Sequence, residues 1–256
     1  MKLDVAAVCD LGLVRTNNED MILLGAHLLR DTRMVCELPA NDPQMPLVVA
    51  VADGMGGAAA GEVASAHVLQ SLRESWSTPS QALDGAAIEQ RLHAWADAAH
   101  RSLCEQGRAD PHKAGMGTTV VGLLFWNQRV WRFHAGDSRL YRQRGALVEQ
   151  LTQDHSAQML EAHADKPRNV LANALGGAEH SYLECREIEG GAQAFDRFLL
   201  CSDGLHDLIS PQSLVDALRL DQQMALQVLL ARAHQGGGRD NISIVIVDVP
   251  RASHGQ

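Results

Sequence analysis

Four aspartates in this 256-residue chain stand beside a glycine or an asparagine at the end of a strongly apolar run. They are Asp53 in Val48-Val49-Ala50-Val51-Ala52-Asp53-Gly54, Asp137 in Phe133-His134-Ala135-Gly136-Asp137-Ser138, and Asp203 in Phe198-Leu199-Leu200-Cys201-Ser202-Asp203-Gly204. The fourth is Asp240 in Gly238-Arg239-Asp240-Asn241, which leads into Ile242-Ser243-Ile244-Val245. A short apolar run closed by a turn residue reads as a buried strand. The acids are therefore expected where strands leave the core, on loops held by rigid backbone. Carboxylates brought together there repel by about 4 kcal/mol per pair at ~4 Å and an effective dielectric near 20, and a multivalent cation relieves that repulsion. Oxygen ligands without matching His or Cys select a hard ion, magnesium or manganese.

Six short clusters surround these acids. In chain order they are Asp10-x-Gly12-x-x-Arg15-x-x-Asn18-Glu19-Asp20; Asp53-Gly54-Met55-Gly56-Gly57 with Gly61-Glu62-Val63-Ala64-Ser65; Gly115-Met116-Gly117-Thr118-Thr119; Gly136-Asp137-Ser138-Arg139-x-Tyr141; Ser202-Asp203-Gly204; and Asp240-Asn241. Each alone has a bland reading. Arg15 would be a surface charge, Glu19 and Asp20 a solvated loop, and the Asp53 cluster a tight turn feeding a helix. Its glycines also permit close backbone approach, so that a ligand reaches both a carboxylate and a carbonyl.

The elements that must carry these residues follow from periodicity. Strand-like runs occur at 3–9, 21–25, 46–52, 117–126, 129–134, 139–142, 182–188, 196–202 and 242–249, and helical patterns at 58–75, 84–106, 155–164 and 221–235. Over 84–106, Leu83, Ala87, Ile88, Leu92, Trp95, Ala99 and Leu103 recur at three- and four-residue intervals, an amphipathic helix. Two long helices together, then several consecutive strands, predict α+β with largely antiparallel sheets. One domain over 1–250 is expected, with a flexible tail at 251–256. A net charge of −9 argues against nucleic acid or an anionic membrane as partner. No apolar stretch approaches the length of a bilayer span, and Met1-Lys2-Leu3-Asp4 does not read as a secretory signal. Cysteines 9, 36, 104, 185 and 201 are odd in number and irregularly spaced, which favours reduced thiols and a cytoplasmic setting. A monomer is expected.

Taken in order, the six clusters resemble the metal-dependent serine/threonine protein phosphatases of the PP2C (PPM) family, bacterial type, from about Val5 to Val249. Leu151-Thr152-x-Asp154-His155-Ser156 and Asn173-Ala174-Leu175-Gly176 are similar to the family's linking segments. The resemblance implies a four-layer α-β-β-α sandwich of two antiparallel sheets flanked by helices, with two Mn2+ or Mg2+ ions at one end. By the matching positions, Asp53 bridges both ions and Gly54 offers its carbonyl to the first. Asp203 and Asp240 complete the second, and Asp20 and Glu19 hold metal-bound waters. Asp137, with Asp203, forms a weaker third position. Arg15 grips the substrate phosphate through a charge-assisted fork, and Asn241 and Thr118 support the site. Implied with this is direct attack of a metal-bridging water on phosphoserine or phosphothreonine, without a phosphoenzyme. The implied partners are phosphorylated proteins and an opposing eukaryotic-like bacterial Ser/Thr kinase.

Two departures stand out. Many eukaryotic relatives carry a histidine after the first Asp-Gly, a candidate acid for the leaving oxygen; here Met55 cannot donate a proton, and a metal-bound water is the default. Between His155 and Arg168-Asn169 the family's flap is abbreviated, roughly 156–168, and His155 and His163 read as structural or solvent-exposed.

Rival readings exist. Cys9-Asp10-x-Gly12-x-x-Arg15 satisfies the loop pattern of cysteine-dependent phosphatases. Asp10 beside the nucleophile would repel phosphate and raise the thiol pKa, and the later aspartates would go unexplained. A pseudophosphatase scaffold is the non-enzymatic alternative, but every acid of the two-metal site is retained. A small phosphorylated metabolite or a regulatory phosphoprotein of the anti-anti-sigma type remain open as substrates, because the core motifs do not encode the substrate.

Overall fold

The structure, a computed structural model, describes residues 2–40, 42, 44–56, 60–78, 84–156 and 171–251. In chain order the first half contains β1 (Lys2–Asp10), β2 (Asp20–Leu24), β3 (His27–Leu29), β4 (Thr32–Pro39), β5 (Leu47–Met55), α1 (Ala60–Ser75) and α2 (Gly85–Ala109). There follow β6 (Gly117–Thr118), β7 (Val120–Trp126), β8 (Arg129–Ala135), β9 (Arg139–Arg144), β10 (Leu147–Gln150), β11 (Leu175–Gly176), β12 (Glu184–Glu187) and β13 (Arg197–Cys201). The chain closes with α3 (Asp203–His206), α4 (Pro211–Leu218), α5 (Gln222–Gln235) and β14 (Ile242–Asp248).

One sheet runs β10-β9-β13-β14-β1-β4. The other runs β11-β6-β5-β7-β8-β12, with β2 and β3 attached through β5. Successive residues of a strand point to opposite faces, and the central strands use both. Val49 and Val51 of β5, Val5 and Ala7 of β1, and Val245 and Val247 of β14 meet in the core between the sheets. Val48, Ala50 and Ala52 of β5 turn outward, where Leu69 and Leu72 of α1 and Ile88 and Leu92 of α2 cover them. Ala6, Ile244 and Ile246 face outward on the other sheet, under Leu214 of α4 and Leu226 and Leu229 of α5. Three apolar layers therefore separate four layers of secondary structure, the expected α-β-β-α sandwich. Burial on both faces is why the central strands read as unbroken apolar runs.

Several elements differ from the sequence expectation. The 117–126 run is two strands, β6 and β7, broken at Thr119, whose backbone N–H donates to Asp53 O at 2.9 Å. β3, β4 and β10 lie at sheet margins, where half-exposed sequence such as Thr32-Arg33-Met34-Val35-Cys36-Glu37 carries little apolar pattern. α4 is short but well started. Ser210 accepts from Ser213 N–H at 3.2 Å, and Pro211 fills the first helical turn, where its missing N–H costs nothing. The helix expected at 155–164 lies, from residue 157 on, outside the described residues; Ser156 itself pairs with Leu171 in an antiparallel bridge.

Candidate active site

Strand register assembles the acids. Asp20 opens β2 and lies directly opposite Asp53 of β5 in an antiparallel ladder. Asp203 follows β13, Asp137 occupies the turn between β8 and β9, and Asp240 lies just before β14. The expectation that the acids sit on loops therefore needs correction. Asp137 and Asp240 do, but Asp53 is within a strand and Asp203 is the first residue of the one-turn helix α3. Ladder hydrogen bonds fix Asp53 more firmly than a turn would. The Thr119 hydroxyl accepts from Asp53 N–H at 3.2 Å, and the Thr118 hydroxyl donates to Asp53 O at 2.8 Å. Thr118 thus supports the site, as expected.

Asp20 is 1% exposed. Its Oδ2 accepts from the Ser202 hydroxyl at 2.8 Å, and Ser202 Oγ in turn accepts from Ser243 N–H at 3.0 Å. Asn18 Oδ1 receives Asp20 N–H at 3.1 Å, and Arg30 Nε donates to Asp20 O at 2.9 Å. Asn241 laces two loops together. Its Oδ1 accepts from Glu19 N–H at 2.9 Å, while its Nδ2 donates to Leu11 O at 2.9 Å and Asn17 O at 3.1 Å. Nothing in the sequence marks Asn18, Arg30, Ser202 or Ser243 for these roles: Asn18 and Ser202 lie inside the Asp20 and Asp203 motifs, but Arg30 carries no local signal.

The electrostatics are those of crowded, buried anions. Burial, then Asp20, Asp203, Asp137 and Asp240, push Asp53 well above the usual carboxylate range. Burial raises Asp20 to about 7 against the Ser202 and Ser243 hydrogen bonds, with Asp203 and Asp240 adding to the rise. Burial and Asp203 raise Asp137 to about 6, and burial and Asp240 raise Asp203. Among the described residues, the buried Oδ1 atoms of Asp20 and Asp203 find no hydrogen-bond partner. Burying such oxygens unpaired costs several kcal/mol in general. All-oxygen donors, mutual repulsion and orphaned carboxylate oxygens together fit hard divalent ions. Asp53, Asp203, Asp240 and the Gly54 carbonyl could hold them, with Asp137 beside Asp203.

Arg15 sits at the mouth of this cluster. Its Nη2 donates to Asp240 Oδ2 at 2.6 Å, with both side chains partly in solvent. Glu19 has a role the sequence did not announce. Its carboxylate accepts the Gly61 N–H in the first turn of α1, where a helix N-terminus favours negative charge. Burial still raises its pKa, more than Arg15 lowers it. Gly54 and Gly61 make that approach possible, because a Cβ at Gly54 would stand 2.1 Å from Gly61 O and 2.6 Å from Glu19 O. Met55, at the end of β5, pairs with Gly117 and offers no proton.

Among the described residues, the group of three that brings one ligand atom each within 4.8 Å of one another is His134, His155 and Glu184, not the aspartates. The imidazole rings argue against a metal there. They stack at 4.4 Å and 24°, so their in-plane lone pairs run side by side and do not converge. His134 Nε2 is 3.0 Å from Gln153 O, which holds its proton there. His155 Nδ1 accepts from Gly136 N–H at 3.2 Å and from Asn173 Nδ2 at 2.9 Å. His155 is structural, as expected: it clamps the turn that carries Asp137. His163 and the abbreviated flap lie, from residue 157, outside the described residues.

Cys9 is a buried residue of β1, its Sγ 3.7 Å from Asp20 O. Burial and Asp20 push its thiol up to about 12, so it does not ionise near neutral pH. That geometry disfavours the cysteine-phosphatase rival.

The protein phosphatase 2C family profile matches residues 38–235. The chain is 36% identical over 266 residues to the serine/threonine protein phosphatase PstP of Mycobacterium tuberculosis, covering 99% of this chain and 46% of that protein. It thus spans about half the length of that relative. It is 30% identical over 251 residues to the serine/threonine phosphatase stp of Listeria monocytogenes, covering 93% of each. Among solved structures, the Mycobacterium tuberculosis phosphatase PstP/Ppp superposes with a TM-score of 0.78 at 34% identity, over 98% of this chain and 100% of that one. The PstP catalytic domain in complex with two manganese ions gives 0.76 at 34% identity, over 98% and 99%.

Proposed function

The chain belongs to the protein phosphatase 2C family, and we propose that it is a manganese- or magnesium-dependent phosphatase of phosphoserine and phosphothreonine in proteins. The observation that carries this reading is the buried carboxylate cluster with orphaned oxygens and Arg15 at its mouth. Relatives named serine/threonine phosphatases and a manganese-bound structure of one of them support it.

Asp53, Asp203, Asp240 and the Gly54 carbonyl would hold two ions, and Asp137 with Asp203 would hold a weaker third. Bound there, divalent ions supply charge stabilisation and a water of lowered pKa as nucleophile. The chain's own residues do the rest. Asp20, fixed by Ser202, and Glu19, fixed by Gly61, accept hydrogen bonds from water at the rim of the ion site. Arg15 leaves Asp240 for the phosphate, where a planar guanidinium meets two oxygens at once. Water adds to phosphorus, the ester bond breaks, and the serine or threonine oxygen takes its proton from water, since Met55 cannot give one. The phosphate is released as inorganic phosphate without a phosphoenzyme. We place the protein in the cytoplasm as a monomer, one catalytic domain over 1–250, opposing a eukaryotic-like bacterial Ser/Thr kinase.

The test is hydrolysis of p-nitrophenyl phosphate and a phosphothreonine peptide by metal-stripped protein. Activity restored by manganese or magnesium and abolished by EDTA is expected. EDTA-resistant, vanadate-sensitive hydrolysis would return the reaction to Cys9, and silence under every metal would leave a binding or scaffold role.

A further inference from the structure

Three exposed apolar side chains crowd the turn that ends in Arg15. Leu11, Leu13 and Val14 are 36%, 62% and 64% exposed, and no other stretch of the described residues shows large apolar side chains so close in sequence. Phe195, Leu147 and Tyr182 are also exposed, but singly, as surface apolar residues ordinarily are.

The turn is held rigidly. Gly12 N–H donates to Asp10 Oδ1 at 2.9 Å, and that carboxylate also meets His234 Nε2 at 2.8 Å. Leu13 N–H donates to Gly238 O at 2.8 Å, and Asn241 Nδ2 holds Leu11 O at 2.9 Å. Gly12 has a φ of +79°, and a Cβ there would stand 2.1 Å from Asp240 O. The Leu13 side chain lies against Gly238, two residues before Asp240. Thus the loop that displays Leu13 and Val14 is bonded to the loop that carries a proposed ion ligand, and the next residue is the proposed phosphate clamp.

An apolar surface already fixed in place binds without an ordering cost, and its position is set relative to phosphorus. Here the cationic clamp and the apolar pair are consecutive in the chain. A bound phosphoresidue therefore brings its chain neighbours within reach of Leu13 and Val14. We infer that Leu13 and Val14 form a substrate-reading platform that favours phosphoproteins with an apolar side chain close to the phosphorylated residue. This rests on the phosphatase reading above. The occupant is a segment of the substrate, because the platform adjoins the site where its phosphate binds.

The experiment compares p-nitrophenyl phosphate with phosphothreonine peptides that carry leucine or serine at each of the two positions before and after phosphothreonine, under manganese. Wild-type protein is expected to show kcat/KM about tenfold higher for leucine than for serine in at least one of these positions, the discrimination one apolar contact affords. The double variant Leu13→Ser/Val14→Ser should bring that ratio to about one, with p-nitrophenyl phosphate kinetics and thermal unfolding unchanged. The variant Leu147→Ser, equally exposed but outside this turn, should keep the wild-type preference. Equal rates on leucine and serine peptides in wild type would overturn the inference, as would a preference that survives the double variant. Loss of all metal-activated hydrolysis in wild type, including p-nitrophenyl phosphate, would instead refute the phosphatase reading, and the platform would fall with it.

Discussion

Asp196 and Asp20 are both about 1% exposed, yet the protein treats them in opposite ways. At Asp196, Arg144 closes a two-pronged fork, Nε to Oδ1 and Nη2 to Oδ2, each at 2.7 Å, and Gln193 N–H adds a third bond at 2.9 Å. Asp248 is held the same way by Arg197, at 2.6 and 2.7 Å. Among the described residues no arginine bonds the carboxylates of Asp20, Asp53 or Asp203. Serine hydroxyls and threonine clasps orient the acids, and two carboxylate oxygens stay unpartnered. Where the fold needs an acid for its own integrity it supplies the counter-charge internally. Where it does not, the counter-charge must come from outside, which is how a structural acid and a ligand-binding acid differ in the same molecule.

The comparison breaks most visibly at Asp203. Asp203→Asn should lower kcat by about 10³-fold or more. Saturating manganese, at about 100 times its Kd, should stabilise the wild type by about 2.7 kcal/mol and the variant far less. An Asp203→Asn protein that turned over normally would remove the ion assignment. The opposite end should respond in stability and not in rate. Asp196→Asn is expected to cost about 2 kcal/mol in denaturant unfolding, because the Arg144 fork loses its charged acceptor, while kcat stays unchanged. At the rim, Arg15→Ala should raise KM for a phosphopeptide about tenfold, equivalent to ~1.4 kcal/mol. Its stability should change by less than about 1 kcal/mol, since an ion pair in solvent contributes little. An unchanged KM would make Arg15 an ordinary surface charge.

The same contrast should show as a drift with pH. Asp20 and Asp137 titrate near 7 and 6 in the folded protein, against an ordinary carboxylate value of 3.8. Between those values the folded state binds more protons than the unfolded one, so stability falls as pH rises. The contribution of these acids is full below about pH 4 and is lost as pH climbs to about 7. Metal-free protein should therefore melt at lower temperature at pH 7 than at pH 5, and manganese should flatten or reverse the trend. A metal-free melting temperature that rises over that range would contradict the crowding of unpaired acids.

Much of this contrast was legible in the sequence, and the unread part has a physical reason. Asp53, Asp203 and Asp240 announce themselves because each interrupts an apolar run, and the central strands betray themselves by burial on both faces. Marginal strands such as β4 and β10 escape notice, since one side in water dilutes their pattern. Arg30 was invisible for another reason. It bonds Asp20 O, Glu62 and Ser65, residues up to 35 positions away in the chain. No local pattern encodes a partner that only folding supplies. A turn glycine follows each of Asp53 and Asp203 and suggests a loop, yet register keeps one in a strand and a single helical turn receives the other.

The bridge between Ser156 and Leu171 carries a consequence for how such a protein diversifies. The Ala172 N–H donates to His155 O at 2.7 Å, so residues 155–156 and 171–172 are held together beside the turn that His155 clamps. Closing a longer loop between fixed ends costs only about 0.6 kcal/mol per doubling of length. Ser156 and Leu171 are fixed ends of this kind, and a change of chain length between them is expected to leave the β-ladders and the acids in place. Insertion between these anchors is therefore a route by which evolution, or an engineer, can add sequence without disturbing the acids.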